Sequence, residues 1–237
     1  MRTAFLSPLS LFAVFALQLS GLSAAEKPLL LPVSARAYLP TGSKLVDLAY
    51  GDLNADGKAD LVFLRHETDP RKITTGEDGH ELDGNPRVLV VLLAHEGGYL
   101  KLREYPGFVP PYHFKGYEIW DEVYEGMKIQ NGVLSLNFYW YSTKGTYWVS
   151  REEFKFRLEF GKMRWIGFEE ETYHRGSGDK YKVSVNFLTG RQKNTEGLHH
   201  DVGLKTHPKV SWRDLPPKPP LYLETLSPCD RKEAPPR

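Results

Sequence analysis

Apolar and polar residues alternate with period two through most of the second half of the chain. Leu134, Leu136, Phe138 and Trp140 are separated by single intervening residues, as are Phe154, Phe156, Leu158 and Phe160. On a strand each set shares one face, whereas at helical spacing it would scatter around the cylinder. Asn131-Gly132 precedes the first set and supplies the positive φ angles of a two-residue turn, so 127–140 reads as a hairpin. Gly161-Lys162 reads as a second tight turn into Met163-Arg164-Trp165-Ile166-Gly167-Phe168. Tyr181, Val183, Val185 and Phe187 alternate again, and 127–188 is predicted as a meander of about five strands.

The first half carries shorter signals. Residues 44–50 and 61–64 read as strands. The continuous run Val88-Leu89-Val90-Val91-Leu92-Leu93 has the length and composition of a strand buried on both faces. Gly97-Gly98 turns into a further strand at 99–103. Residues 26–44 read as an extended lead-in, 65–86 as a long surface loop, and 189–215 as polar and irregular. From Pro208 the chain is Pro-rich and reads as an extended strap, with Leu221-Tyr222-Leu223 as a last short strand. The fold class is mainly β: an antiparallel meander or sandwich, or partial propeller-like sheets.

The amino terminus reads as an address. Arg2, an apolar stretch from Leu9 to Leu17 and the small residues Ser23-Ala24-Ala25 form a secretory signal at 1–25, with cleavage after Ala25. The apolar stretch is too short to span a bilayer, and no later one approaches that length. A single β domain at 26–207 and a strap at 208–237 follow. Cys229 is the only cysteine, so an internal disulfide and a cysteine-based metal site are excluded. A periplasmic or secreted protein is expected. The formal charge of +1 argues against nucleic acid as a partner.

Candidate chemistry concentrates in Gly51-Asp52-Leu53-Asn54-Ala55-Asp56-Gly57-Lys58-Ala59-Asp60. Oxygen-bearing side chains stand at positions 1, 3, 5 and 9 of a nine-residue loop. Calcium takes about six to eight hard oxygen ligands, which alternate residues supply when the backbone curls around a centre. Gly57 permits the bend, and the Lys58 carbonyl would be the backbone ligand. An EF-hand would need Glu at position 12, where Phe63 stands, and the flanks read as strands instead. The segment from Val46 to Val62 resembles the FG-GAP/VCBS calcium-loop repeat of integrin-α-type propellers and exported bacterial proteins. The resemblance implies Ca2+ held by Asp52, Asn54, Asp56, the Lys58 carbonyl and Asp60. Only one such loop is present, so a complete propeller, which needs several four-stranded blades, is not expected. The later block, including Tyr147-Trp148, Trp165-Ile166-Gly167 and 185–190, resembles small exported bacterial proteins with a single repeat. That likeness implies a fold and a metal loop but no reaction.

Three functions stay open at this level. The first is a binding or structural role around a structural calcium, with no catalytic residues. The second is a carbohydrate or cell-wall ligand bound by Tyr139, Tyr141, Tyr147 and Trp148. The third is a hydrolase with dispersed catalytic residues. Glu77 to Asp83 forms a second acidic cluster, and His199-His200-Asp201 a possible transition-metal group. Adjacent side chains on a strand point apart, which argues against joint ligation by the two histidines. The same reasoning keeps Glu169, Glu170 and Glu171 from forming a facing carboxylate pair among themselves.

Overall fold

A computed structural model describes residues 29–77, 79–113, 122–141, 146–200 and 207–226. The expected signal segment, Asp78, Asp201 and Cys229 lie outside these. Thirteen strands run through the described residues: β1 (Ser43–Gly51), β2 (Asp60–Glu67), β3 (Ile73–Thr75), β4 (Glu81–Asp83), β5 (Arg87–His95), β6 (Gly98–Pro106), β7 (Tyr124–Gln130), β8 (Val133–Trp140), β9 (Trp148–Glu159), β10 (Lys162–His174), β11 (Asp179–Asn186), β12 (Arg191–His199) and β13 (Lys209–Asp214). All pairings are antiparallel. A four-stranded sheet has the order β1-β2-β5-β6, and a seven-stranded sheet runs from β7 to β13 as a meander. The fold is mainly β, as the alternation predicts.

The uninterrupted apolar runs of β2 and β5 follow from their central places. One face of these strands, with Val62, Leu64, Leu89 and Val91, joins Leu134, Leu136, Phe138, Phe154, Phe156 and Trp165 of the larger sheet in one core. Phe108, from the segment after β6, sets its ring edge-on to Phe138, Phe154 and Phe156 in this core. The opposite face, with Leu61, Phe63, Val88, Val90 and Leu92, packs on Leu31 and Ala35. Ala35 lies in a 3-10 helix, Val33–Tyr38. The lead-in is therefore a third layer, and two buried faces demand apolar side chains at successive positions.

The five-strand meander from β7 to β11 and the Asn131-Gly132 turn follow the predicted pattern. Asn131 and Gly132 take φ of 52° and 73°, and Gln130 pairs with Val133. The second turn is displaced by one residue. Phe160 and Gly161, with φ of 50° and 73°, form its two central positions, so β9 ends at Glu159. Phe160 is fully exposed at the tip instead of sharing the buried face of Phe154 and Phe156.

Three segments hold more strand than their polarity indicates. The stretch 65–86 contains the end of β2 and the small hairpin of β3 and β4. Residues 191–199 and 209–214 form β12 and β13 at the far side of the larger sheet. Both faces of β13 are largely exposed, so it carries little apolar alternation to read. The expected PPII-like strap therefore begins with a strand paired to β12. The Leu221-Tyr222-Leu223 segment makes one bridge, Tyr222 to Arg164, and continues into a 3-10 turn at Leu223–Thr225 with Leu223 in the core.

Candidate functional site

The 51–60 loop joins β1 to β2, with Gly51 and Asp60 paired across its base. Gly51 lies hard against β7: a Cβ there would fall 2.5 Å from Ile129 Cγ2. The loop is thereby seated at the junction of the two sheets.

Inside the loop, side-chain oxygens satisfy backbone amides. Asp52 Oδ1 accepts from Ala55 N at 2.7 Å and Asp56 N at 3.2 Å, and its Oδ2 accepts from Gly57 N at 2.8 Å. Asn54 Oδ1 accepts from the same Asp56 amide at 3.1 Å, so the oxygens of Asp52 and Asn54 converge on one donor. Asp56 Oδ1 accepts from Lys58 N, and its Oδ2 from Asn54 Nδ2. Those two bonds hold the Asp56 carboxyl below its ordinary pKa, the Lys58 amide contributing most. Ala55 and Gly57 sit at φ of 62° and 79°, the left-handed turns that wind the chain around Asp52.

Asp60 behaves differently. It is 0 % exposed, and its two oxygens accept from Leu53 N and Ala94 N, both at 2.8 Å. The carboxylate ties the loop to its own base and to β5. It therefore supports the fold directly, a role that loop spacing does not reveal.

Asp52, Asn54, Asp56 and Lys58 are thus gathered in one short loop, and Asp60 is turned into its base. The carboxylates face amides in this conformation. Among the described residues, no three His, Cys, Asp or Glu side chains form a metal-holding group. The donor set still fits a hard cation in kind: an amide oxygen and carboxylates at alternate residues, with the exposed side chains of Asn54 and Asp56 at the loop surface. Beside the loop lies a cleft of ≈ 520 Å³ between Asp52, Asn54, Asn131, Gly132, Arg157 and Leu158.

A second polar cluster carries no sequence motif. Arg87 is fully buried, with Nη1 2.6 Å from Glu122 Oε2, Nε bonded to the Pro110 carbonyl, and the guanidinium over Tyr112. His66 Nε2 lies 3.3 Å from Asp83 Oδ2, and the His66 ring meets Tyr112 edge-on. Burial lowers the His66 pKa, with Arg87 and Lys44 acting in the same direction and Asp83 opposing. A depressed histidine stabilises the fold above its unfolded value of about 6.5, and that stability is lost as pH falls through the folded value. The wild type is therefore expected to lose melting temperature between about pH 7 and pH 5. His66→Gln should flatten that decline, as thermal melts at the two pH values would show. Equal slopes for the two proteins would contradict the assignment.

The seven-stranded sheet also departs from apolar alternation in a legible way. Ser150 and Glu152 occupy the same face as Phe154 and Phe156, and both are buried. Trp140 Nε1 donates to Glu152 Oε2 at 2.8 Å, and Glu170 stands opposite Glu152 across β9 and β10. Glu169 and Glu171 face the other side, with Lys155 and with Lys180 and Lys182 respectively. His199 and His200 separate as expected: the first reaches the Ser177 carbonyl and the second stacks on Tyr173. Of the four aromatic candidates, Tyr147 and Trp148 are exposed. Tyr139 and Tyr141 are half-buried, with Arg151 over the first and Arg175 over the second.

Among the described residues, no helix is long and apolar enough to cross a membrane. No protein-family model, curated protein or solved structure matches the chain.

Proposed function

We propose that this chain is an exported β-protein of the FG-GAP/VCBS calcium-loop type, in which the 51–60 loop holds a structural Ca2+ and the protein binds a partner or ligand. Support comes chiefly from the convergence of the Asp52 and Asn54 oxygens on one amide, within a loop wound by Ala55 and Gly57. Oxygens from alternate residues thereby share one donor. Asp52, Asn54, Asp56 and the Lys58 carbonyl would supply ligands, with Asp60 closing the set. A bound calcium would neutralise the loop carboxylates and cross-link the end of β1 to the start of β2. The role is structural, and no reaction is assigned to the loop.

Extracellular calcium modules typically bind at about 10⁻⁴–10⁻³ M. At roughly 1 mM calcium, linkage then gives about 0.4–1.4 kcal/mol of stabilisation. Thermal melts should therefore rise by a few degrees on going from chelator to calcium. Asp56→Ala should remove that calcium-dependent rise, because it deletes an exposed ligand without opening the core. Wild-type melts that coincide in chelator and calcium would leave the loop as an amide-capped turn.

A further inference from the structure

We infer that the exposed rings at the β9–β11 end of the larger sheet form a stacking site for a neutral β-linked glycan chain. The inference rests on reading the chain as a binding protein, and it is independent of the cation. Trp148 pairs in register with His174, and Tyr181 pairs with Thr172 two residues earlier on β10, so Trp148, His174 and Tyr181 share one face. This is also the face of Phe154 and Phe168, nearer the middle of the sheet, where the core lies. Towards this end its residues change from apolar to polar and aromatic. Trp148 is 36 %, Tyr181 40 % and Tyr147 65 % exposed.

The rings are arranged around His174. Its ring centroid lies 4.9 Å from that of Trp148 and 5.6 Å from that of Tyr147, and Trp148 lies 5.6 Å from Tyr181. Trp148 and His174 meet edge-to-face at 66°, whereas Tyr147 and His174 are tilted by 40° and Trp148 and Tyr181 by 54°. No pair stacks in parallel; the Arg175 guanidinium lies 5.6 Å from the Tyr147 centroid on one face of that ring, and the exposed remainder of the three rings is what a ligand would meet. A pyranose presents C–H groups on its faces and hydroxyls around its edge. An aromatic face accepts the first, and polar groups at the rim must meet the second.

Such polar groups are present. His174 Nδ1 accepts from Ser177 N at 3.0 Å. In the neutral ring this places the proton on Nε2, which becomes a donor. Ser177 Oγ donates to Asp179 Oδ2 at 2.6 Å, placing a carboxylate acceptor beside the ring cluster.

Size selects this ligand over a protein surface. A fully buried aromatic side chain removes about 150–250 Å² from water. Three partly exposed rings offer only a few hundred Å², short of the roughly 800 Å² per partner of a stable protein interface. One or two sugar rings need no more.

The test is calorimetric titration of the full chain with cellohexaose and with chitohexaose, in chelator and in calcium. Binding of at least one hexasaccharide is expected under both conditions. Trp148→Ala and Tyr147→Ala should each weaken it tenfold or more at a temperature where melting curves show both variants fully folded, the more exposed Tyr147 being the substitution that perturbs packing less. The arm that binds identifies whether the glycan is unsubstituted or N-acetylated. Absence of binding by either sugar, or binding that survives both replacements, would overturn the inference. Glycan binding in a chain whose melts ignore calcium would refute the metal reading alone.

Discussion

Replacing Phe156 with alanine is expected to cost about 3–5 kcal/mol, the usual range for emptying a fully buried phenylalanine site. Phe156 is 0 % exposed, pairs in register with Leu134 and Trp165, and receives the Phe108 ring at 5.4 Å. It sits where the larger sheet meets the smaller one, so the cavity would open between layers that strand pairing holds in place. The loss is a large share of the ~5–15 kcal/mol that a domain commonly has. Phe160→Ala, four residues along and fully exposed, should cost almost nothing. Chemical denaturation of both variants tests the pair. Similar losses at the two positions would show that the packing is misassigned.

Asp60→Ala should be costly even in the presence of chelator. Its carboxylate is the acceptor for the Leu53 and Ala94 amides in a site with no exposure. Leaving a buried donor unsatisfied costs about 1–3 kcal/mol, so two amount to about 2–6 kcal/mol. Asp60→Asn keeps one acceptor oxygen and should fall between the wild type and the alanine variant. Denaturation in chelator isolates this structural part from any effect of calcium. An Asp60→Ala protein as stable as the wild type under those conditions would mean that neither amide depends on the carboxylate.

These two residues mark what the sequence makes legible. Phe156 is readable because one face of its strand is buried and the other is solvated, so period-two alternation records the geometry. β12 and β13 lack that contrast: their side chains are mostly polar, largely half-buried in β12 and largely exposed in β13, and pairing with a neighbour fixes them as strands. Phe160 follows the alternation in sequence but falls on a turn, because Gly161 takes the second central place of the hairpin and not the first. The loop's oxygen-bearing residues are legible because Asp52, Asn54 and Asp56 stand at alternate positions around the glycine that lets the chain turn. The structural duty of Asp60 is not, since one of its partners, Ala94, is 34 residues away on β5. The Arg87 cluster is hidden for the same reason, with Glu122 35 residues distant in the chain. Ser150 and Glu152 do leave a trace, as polar residues in the register of Phe154 and Phe156.

The most direct measurement of the central claim is calorimetric titration of calcium into chelator-treated protein. One site per chain is expected, with a dissociation constant of about 10⁻⁴–10⁻³ M. The binding heat should vanish in Asp56→Ala and remain in Trp148→Ala. A titration with no heat above dilution, or one unchanged in Asp56→Ala, would contradict a calcium site in the 51–60 loop.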